Sequence, residues 1–396
     1  MEKELFRTII AESQEYIGRI HLVQRPLYLE EYGNYVFVGV RQAGKSYLLY
    51  QRIQQLLTNG VDLEDIVYVN FDDERLQGMS VTDLDLILQA YHSMYDSQPI
   101  FFFDEIQNVE GWANFARRLA NQKYRVYITG SNAKMLSRDI ETVLGGRYLD
   151  ISVFPYSFSE YLKAVGVLLS KNWQYGRKAN ELQRHFRTYF DWGGFPELVH
   201  FQEKRIWLTS LYNRIFFNDL VVRHKIKNED ALRLCVRRLA ESVKQPCSLN
   251  RLSNLIKATG TPCSPSTVME YVRYLQESCL LISIDNYVSK FVEKETIKKH
   301  YFVDNGLLHL FINNPNTSLL ENLCAITLYK KYAKGLYYYN KNIEVDFYVP
   351  DEGLAVQASY QMSDGETIER EVKALVALHG LYPLKRAMII TYEDEG

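Results

Sequence analysis

The chain has 396 residues, 47% of them apolar and 24% charged, with a formal net charge of -2. A single hydrophobic core seldom organises a chain of that length, so two or three domains are expected. The near-neutral balance excludes a global electrostatic preference for nucleic acid or an anionic surface, and any polyanion must be met by a local patch.

Thirty Tyr and four Trp supply large aromatic area and exclude a disordered chain. The five cysteines, Cys235, Cys247, Cys263, Cys279 and Cys324, show neither a C-x-x-C pair nor a histidine at zinc spacing. Neither a disulfide framework nor a zinc site is expected from them. The charged start, Met1-Glu2-Lys3-Glu4, and the lack of any run of about 18 apolar residues lead to the expectation of a soluble, cytoplasmic protein with no membrane partner.

In chain order, residues 34–38 read as a buried strand, 45–57 as a helix and 66–71 as a second strand. A helical segment at about 81–95 precedes a strand at 99–103, a helix at about 112–121 and a strand at 125–129. Four apolar strands separated by helices imply a parallel sheet covered on both faces. From Pro155 the pattern turns helical: a helix opens at Ser157, and 180–191 and 205–222 are amphipathic about a Gly193-Gly194-Phe195-Pro196 break. Residues 231–303 give helices at 231–243, 248–258 and 265–278, then strand-like pieces at 280–284 and 300–303, the layout of a winged helix-turn-helix. Residues 304–396 run helix (317–333), three strands (336–340, 344–349, 354–359), helix (367–379) and strand (386–391).

Gly39-Val40-Arg41-Gln42-Ala43-Gly44-Lys45-Ser46 is a complete G-x-x-x-x-G-K-[ST] loop between a strand and a helix. Its glycines let backbone N–H groups wrap phosphates, with Gln42 and Ala43 in the wrap. The lysine reaches the β and γ phosphates, and the serine hydroxyl ligates magnesium. The second half of such a site is Asp104-Glu105, closing the apolar strand Phe101-Phe102-Phe103. Asp104 would hold magnesium, usually through water, and Glu105 would act as general base on the attacking water. Two carboxylates after a strand can also simply cap a helix. Their order and distance after the loop favour the hydrolytic reading.

These residues resemble the AAA+ branch of P-loop ATPases, in which an extra strand carrying the second carboxylate is expected between the loop strand and the rest. Val126-Tyr127-Ile128-Thr129-Gly130-Ser131-Asn132 is similar to the sensor strand of that group, with Asn132 or Ser131 orienting the water. Leu144-Gly145-Gly146-Arg147, Asp104-Glu105-Ile106-Gln107 and Gly193-Gly194-Phe195-Pro196-Glu197 resemble segments of a prokaryotic "ATP-binding protein" family with an ATPase domain and a C-terminal domain of unknown function. The resemblance implies ATP and magnesium, and makes Arg147 the arginine finger, acting in cis or from a neighbour in a homo-oligomer. A structural arginine beside Asp150 is the alternative. ATP rather than GTP comes from the resemblance alone.

Between 231 and 303 eleven basic residues stand against six acidic ones, a local excess suited to a phosphate backbone. The third helix offers few side chains for base edges, Ser266, Thr267 and Arg273 among them. DNA is therefore one expected partner and a protein the other. The last segment resembles the PD-(D/E)XK nuclease superfamily, with Glu321 and Asp346 in place. Gln357-Ala358-Ser359 stands where the second carboxylate and the lysine belong. With both missing, and only Lys341 or Lys373 to stand in, no cleavage is expected, although an active magnesium-dependent nuclease remains a third reading. The expected architecture is thus α/β: a P-loop NTPase domain of AAA+/ASCE type (1–154), an all-α lid (155–230), a winged helix-turn-helix (231–303) and a restriction-endonuclease-like α/β domain (304–396).

Overall fold

The computed structural model describes residues 1–131, 140–169, 173, 177–362 and 365–392. They form two compact units, Met1–Phe154 and Pro155–Gly396. The first holds α1 (Lys3–Ile17), β1 (Tyr35–Val38), α2 (Lys45–Thr58), β2 (Ile66–Asn70), α3 (Asp85–His92), β3 (Ile100–Asp104), α4 (Trp112–Asn121), β4 (Arg125–Gly130) and β5 (Leu149–Ser152).

Its strands make one parallel sheet in the order β2-β3-β4-β1-β5. The expected position of the carboxylate strand is corrected here. The strand beside the loop strand β1 is β4, and the carboxylate strand β3 lies one place further out. Each crossover passes over a sheet face through a helix, so order along the chain does not impose order across the sheet. Consequently residues 129–131, at the end of β4, stand between the phosphate loop and the two carboxylates.

All five residues of β3 are buried. Phe101 and Phe103 pack into a core with Val67, Val69, Trp112 and Phe115, each large side chain contributing about 1.5–3 kcal/mol. Phe6, Ile9 and Ile10 of α1 enter the same core. That helix carries an apolar i, i+3, i+4 stripe.

The second unit opens at α5 (Phe158–Ala164). Ser157 caps it, with Glu160 reaching back to the Ser157 N–H at 2.7 Å to close a capping box. Next come α6 (Arg177–Trp192), α7 (Lys204–Arg214) continued by a wide π-helical stretch Ile215–Val222, α8 (Glu229–Glu241), β6 (Cys247–Ser248), α9 (Leu249–Lys257), α10 (Pro265–Glu277), β7 (Leu281–Asn286), α11 (Phe291–Thr296) and β8 (Ile297–Phe302). The chain continues through α12 (Asn305–His309), α13 (Asn316–Tyr332), β9 (Tyr337–Asn340), β10 (Glu344–Val349), β11 (Leu354–Ala358), α14 (Gly365–Leu381) and β12 (Arg386–Ile390).

A single seven-stranded sheet, ordered β12-β11-β10-β9-β7-β8-β6, runs through this unit. The β7–β8 antiparallel pair continues into the C-terminal strands because Asp285 and Asn286 of β7 pair in parallel with Tyr337 and Tyr338 of β9. Just past β8, the buried Asp304 carboxylate accepts the Gly194 and Gly306 N–H groups, both at 2.8 Å. Gly193 has a φ of 78° and a Cβ there would collide with that carboxylate, while a Cβ on Gly194 would strike the Tyr156 carbonyl, which accounts for the glycine pair after α6.

Candidate nucleotide site

The loop between β1 and α2 turns through two left-handed residues, Gln42 (φ 60°) and Gly44 (φ 93°). Backbone of this kind aims successive N–H groups into one concavity, at the N-terminus of the helix opened by Lys45. Gly39 has no room for a side chain: a Cβ would strike the Val153 carbonyl. Arg25, which the sequence motif does not include, anchors the loop by donating to the Ala43 carbonyl at 3.1 Å and the Phe154 carbonyl at 2.9 Å.

Lys45 is 4% exposed. Its ammonium donates to the carbonyls of Gly39 (3.2 Å) and Val40 (3.3 Å) and lies 3.3 Å from Glu105 Oε1. Glu105 stands directly after β3 with a left-handed φ of 53°, a conformation that costs a non-glycine residue about 1–3 kcal/mol. Its N–H donates to Thr129 Oγ1 at 2.9 Å, which helps to hold the turn. The other carboxylate oxygen accepts Gln107 Nε2 at 2.5 Å. Burial works to raise the Glu105 carboxyl, but the Lys45 ammonium, the Gln107 hydrogen bond and the Arg41 charge outweigh it and hold it below its ordinary value.

Asp104 is 2% exposed. The Tyr68 hydroxyl donates to its Oδ2 at 2.8 Å, and the Thr129 hydroxyl donates to Oδ1. Burial pushes this carboxyl up and the neighbouring Glu105 charge adds to it, against hydrogen bonds from Ser46, Thr129 and Tyr68. A serine hydroxyl bonded to a buried carboxylate is a pair of hard oxygen donors, the set that suits magnesium.

The fold thus brings Gly39, Gln42, Ala43, Gly44, Lys45, Ser46, Asp104 and Glu105 to one end of β1 and β3. It adds Thr129, Tyr68 and Gln107, which motif spacing does not reveal. Arg147 stands apart: exposed, its guanidinium donates to Asn121 Oδ1 at 2.6 Å and more weakly to the Leu144 and Gly145 carbonyls. Among the described residues it makes no contact with Lys45, Ser46, Asp104 or Glu105. Asn132 lies outside the described residues.

The second unit holds a cluster that corrects one sequence expectation. A lysine does stand with Glu321 and Asp346, and it comes from β8. Lys299 is fully buried, with Nζ 3.2 Å from Glu321 Oε1, 3.0 Å from Asp346 Oδ1 and 3.3 Å from Glu344 Oε1. It was invisible to motif reading because it precedes both carboxylates in the chain and reaches them only through the β7–β9 pairing.

Gln357 is spent on backbone: its Oε1 accepts the Asp346 N–H at 2.8 Å and its Nε2 donates to the Glu344 carbonyl at 3.0 Å. Burial opposes the Lys299 charge, but the three carboxylates outweigh it and hold the ammonium well above its ordinary range. Burial pushes Glu321 up to about 7. Glu321, Glu344 and Asp346 line a cavity of about 710 Å³. Lys373 lines it too, but pairs with Glu369 at 2.6 Å.

Comparison with known proteins places these features in a family. A family model described as an AAA domain matches residues 32–162, and one described as a domain of unknown function (DUF8612) matches 183–318. The chain is 30% identical over 411 residues to the uncharacterized protein MJ1544 of Methanocaldococcus jannaschii, covering 100% of this chain and 90% of that one. It is 30% identical over 340 residues to an uncharacterized protein of Haemophilus influenzae, covering 83% of each. Among solved structures, the Walker-type ATPase of Pyrococcus abyssi is similar at 11% identity and a TM-score of 0.45, over 78% of this chain and 95% of that one. Agreement that weak adds nothing to the reading of the fold. None of the described helices is long and apolar enough to cross a membrane. With an AAA domain over its phosphate loop, two carboxylates against that loop and a match along its whole length, the chain belongs to the family of the Methanocaldococcus jannaschii protein.

Proposed function

We propose that the chain binds ATP with magnesium at the phosphate loop and hydrolyses it. The observation that carries this is the bridge from Lys45 to Glu105, 3.3 Å long, over the Ser46–Asp104 pair. A γ phosphate is the anion Lys45 is built to meet. As the ammonium turns to it, Glu105 Oε1 is released, its carboxyl loses the cation that depressed it, and a stronger base faces the attacking water. Base strength therefore rises only when substrate is in place. Ser46 and Asp104 would hold the magnesium, which neutralises charge on the phosphate oxygens. The AAA domain match supports ATP as the nucleotide. Asn132 is assigned to orienting the water, and Arg147, exposed and bonded away from Lys45, to the γ phosphate of a neighbouring copy.

For the output, residues 155–230 are read as a lid, 231–303 as a winged helix and 304–396 as a nuclease-like domain without a working motif, all moved by nucleotide state. DNA contact is supported by Arg237, Arg251, Lys257 and Lys290, which are exposed and, among the described residues, have no ion-pair partner. The charge available is smaller than the sequence count. Lys299 is buried on carboxylates, Lys298 pairs with Asp285 and Arg238 with Glu241, and Arg233 lies over the Phe216 ring.

The test is phosphate release from ATP by the full chain, alone and with single- and double-stranded DNA, beside DNA binding across a salt series. Magnesium-dependent release is expected. Replacing Arg237, Arg251 and Lys257 with alanine should weaken DNA binding and flatten its salt slope by about one unit for each phosphate that the variant no longer neutralises. No binding to any DNA at low salt would leave the alternative, a switch ATPase acting on protein partners.

A further inference from the structure

We propose that Gln107 is a water-orienting catalytic residue of this site, holding Glu105 with its amide nitrogen and the attacking water with its amide oxygen. The inference rests on the ATPase reading and adds a residue to it. Gln107 sits in the short turn Ile106–Asn108 that follows Glu105. The left-handed backbone of Glu105 folds the chain back on itself, so that the side chain two residues on meets its own carboxylate. Gln107 Nε2 is 2.5 Å from Glu105 Oε2 and 3.5 Å from Ser131 Oγ.

Because a carboxylate only accepts, this contact fixes the amide orientation and leaves Oε1 as the atom still to be satisfied. That oxygen is buried and takes no hydrogen bond from any described residue. A buried amide oxygen left without a donor is costly, and such atoms call for an explanation of their own. Asn108, its neighbour in the same turn, is instead satisfied by Phe71 and Asp72.

The donor that explains Gln107 Oε1 is the water consumed in hydrolysis. With Lys45 on the phosphate, Glu105 Oε1 is free while Oε2 stays pinned by Gln107. A water donating one hydrogen to Glu105 Oε1 and the other to Gln107 Oε1 keeps a lone pair free. That lone pair forms the new O–P bond while the bond from γ phosphorus to the bridging oxygen breaks. The electron pair of the broken bond leaves with ADP, one water proton passes to Glu105, and the other remains on the new phosphate oxygen. Two acceptors at fixed positions set the water's direction as well as its distance, the component of catalysis that pure positioning supplies.

The full-chain protein carrying Gln107→Leu, of similar size but without donor or acceptor, tests this. Equilibrium binding of a fluorescent ATP analogue and steady-state kcat and KM are measured. Binding and KM are expected to stay within about twofold while kcat falls roughly 30- to 100-fold. Gln107→Glu keeps an acceptor but loses the amide donor that holds Glu105 Oε2, so it should not restore kcat. In a Glu105→Gln background, adding Gln107→Leu should slow kcat no further.

A role confined to structure would lower nucleotide affinity or the folded fraction together with kcat, and would slow the Glu105→Gln protein further. That result, or a Gln107→Leu kcat within threefold of wild type, would overturn the proposal. Failure of the underlying reading looks different: turnover that does not depend on Glu105, in protein with Gln107 intact.

Discussion

Lys45→Ala is expected to lose nucleotide binding, whereas Glu105→Gln should bind normally and turn over about 10²- to 10⁴-fold more slowly. The two residues touch at 3.3 Å yet should separate cleanly, because they meet different parts of the reaction. Lys45 is a nearly buried cation whose partners in the free protein are two loop carbonyls and Glu105. Without it the concavity keeps its N–H groups but has no charge to set against the β and γ phosphates, and Glu105 is left as a buried anion facing them.

Glu105→Gln keeps the shape and the contact with Lys45 but removes the proton acceptor. Titration with a fluorescent nucleotide and steady-state phosphate release measure the two effects, and equal binding by wild type and Lys45→Ala would sink the assignment. A pH signature accompanies it. In the free protein Glu105 lies below its ordinary value while burial pushes Asp104 above its own, so Asp104 should set the acidic limb of kcat/KM. In the nucleotide complex magnesium would keep Asp104 ionised and the Lys45 charge is shared with phosphate, so the acidic limb of kcat should report Glu105 instead.

What could be read from sequence follows from how local each feature is. The loop Gly39–Ser46 was legible because its conformation depends on its own glycines and on the strand and helix beside it. Asp104 and Glu105 were legible because the apolar run that precedes them ends abruptly in charge. β5, Leu149–Ser152, gave no such signal. It is an edge strand with three of four residues exposed and no apolar run to announce it.

α1 is masked for a different reason: its charged start hides the stripe of Phe6, Ile9 and Ile10, although their spacing is that of a helix face. The interposed β4 and the hydroxyl of Thr129 between loop and carboxylates depend on strand order, which no local pattern encodes. Gln107 stands out in the sequence only as the last residue of Asp104-Glu105-Ile106-Gln107. Its contact with Glu105 needs the left-handed turn to be known first. Lys299 required both strand pairing and register. Separated from Glu321 by 22 positions and from Asp346 by 47, it looks like one more basic residue of a surface wing.

That lysine carries the last large effect. Lys299→Met should destabilise the second unit by about 3–5 kcal/mol, the cost of leaving buried charge without its partner. The greater part comes from Glu321, whose side chain is 5% exposed, with Asp346 next at 15%; Glu344, at 48%, is within reach of water and contributes little. Glu321 already stands at about 7 with the ammonium beside it, held up by burial and by the Asp346 charge.

A carboxyl raised above its unfolded value stabilises fully below that unfolded value, and the contribution fades as pH rises through the folded one. Removing the cation lifts the folded value further and widens that window. The variant should therefore be closest to wild type near pH 5 and furthest from it near pH 8, which urea unfolding at the two pH values will show. Lys299→Met combined with Glu321→Gln should recover much of the loss, since the amide carries no charge to strand. If instead the single variant unfolds with the wild-type midpoint at pH 8, the joint between β8 and the C-terminal strands owes nothing to this ion cluster and rests on the β7–β9 pairing and the apolar packing around it.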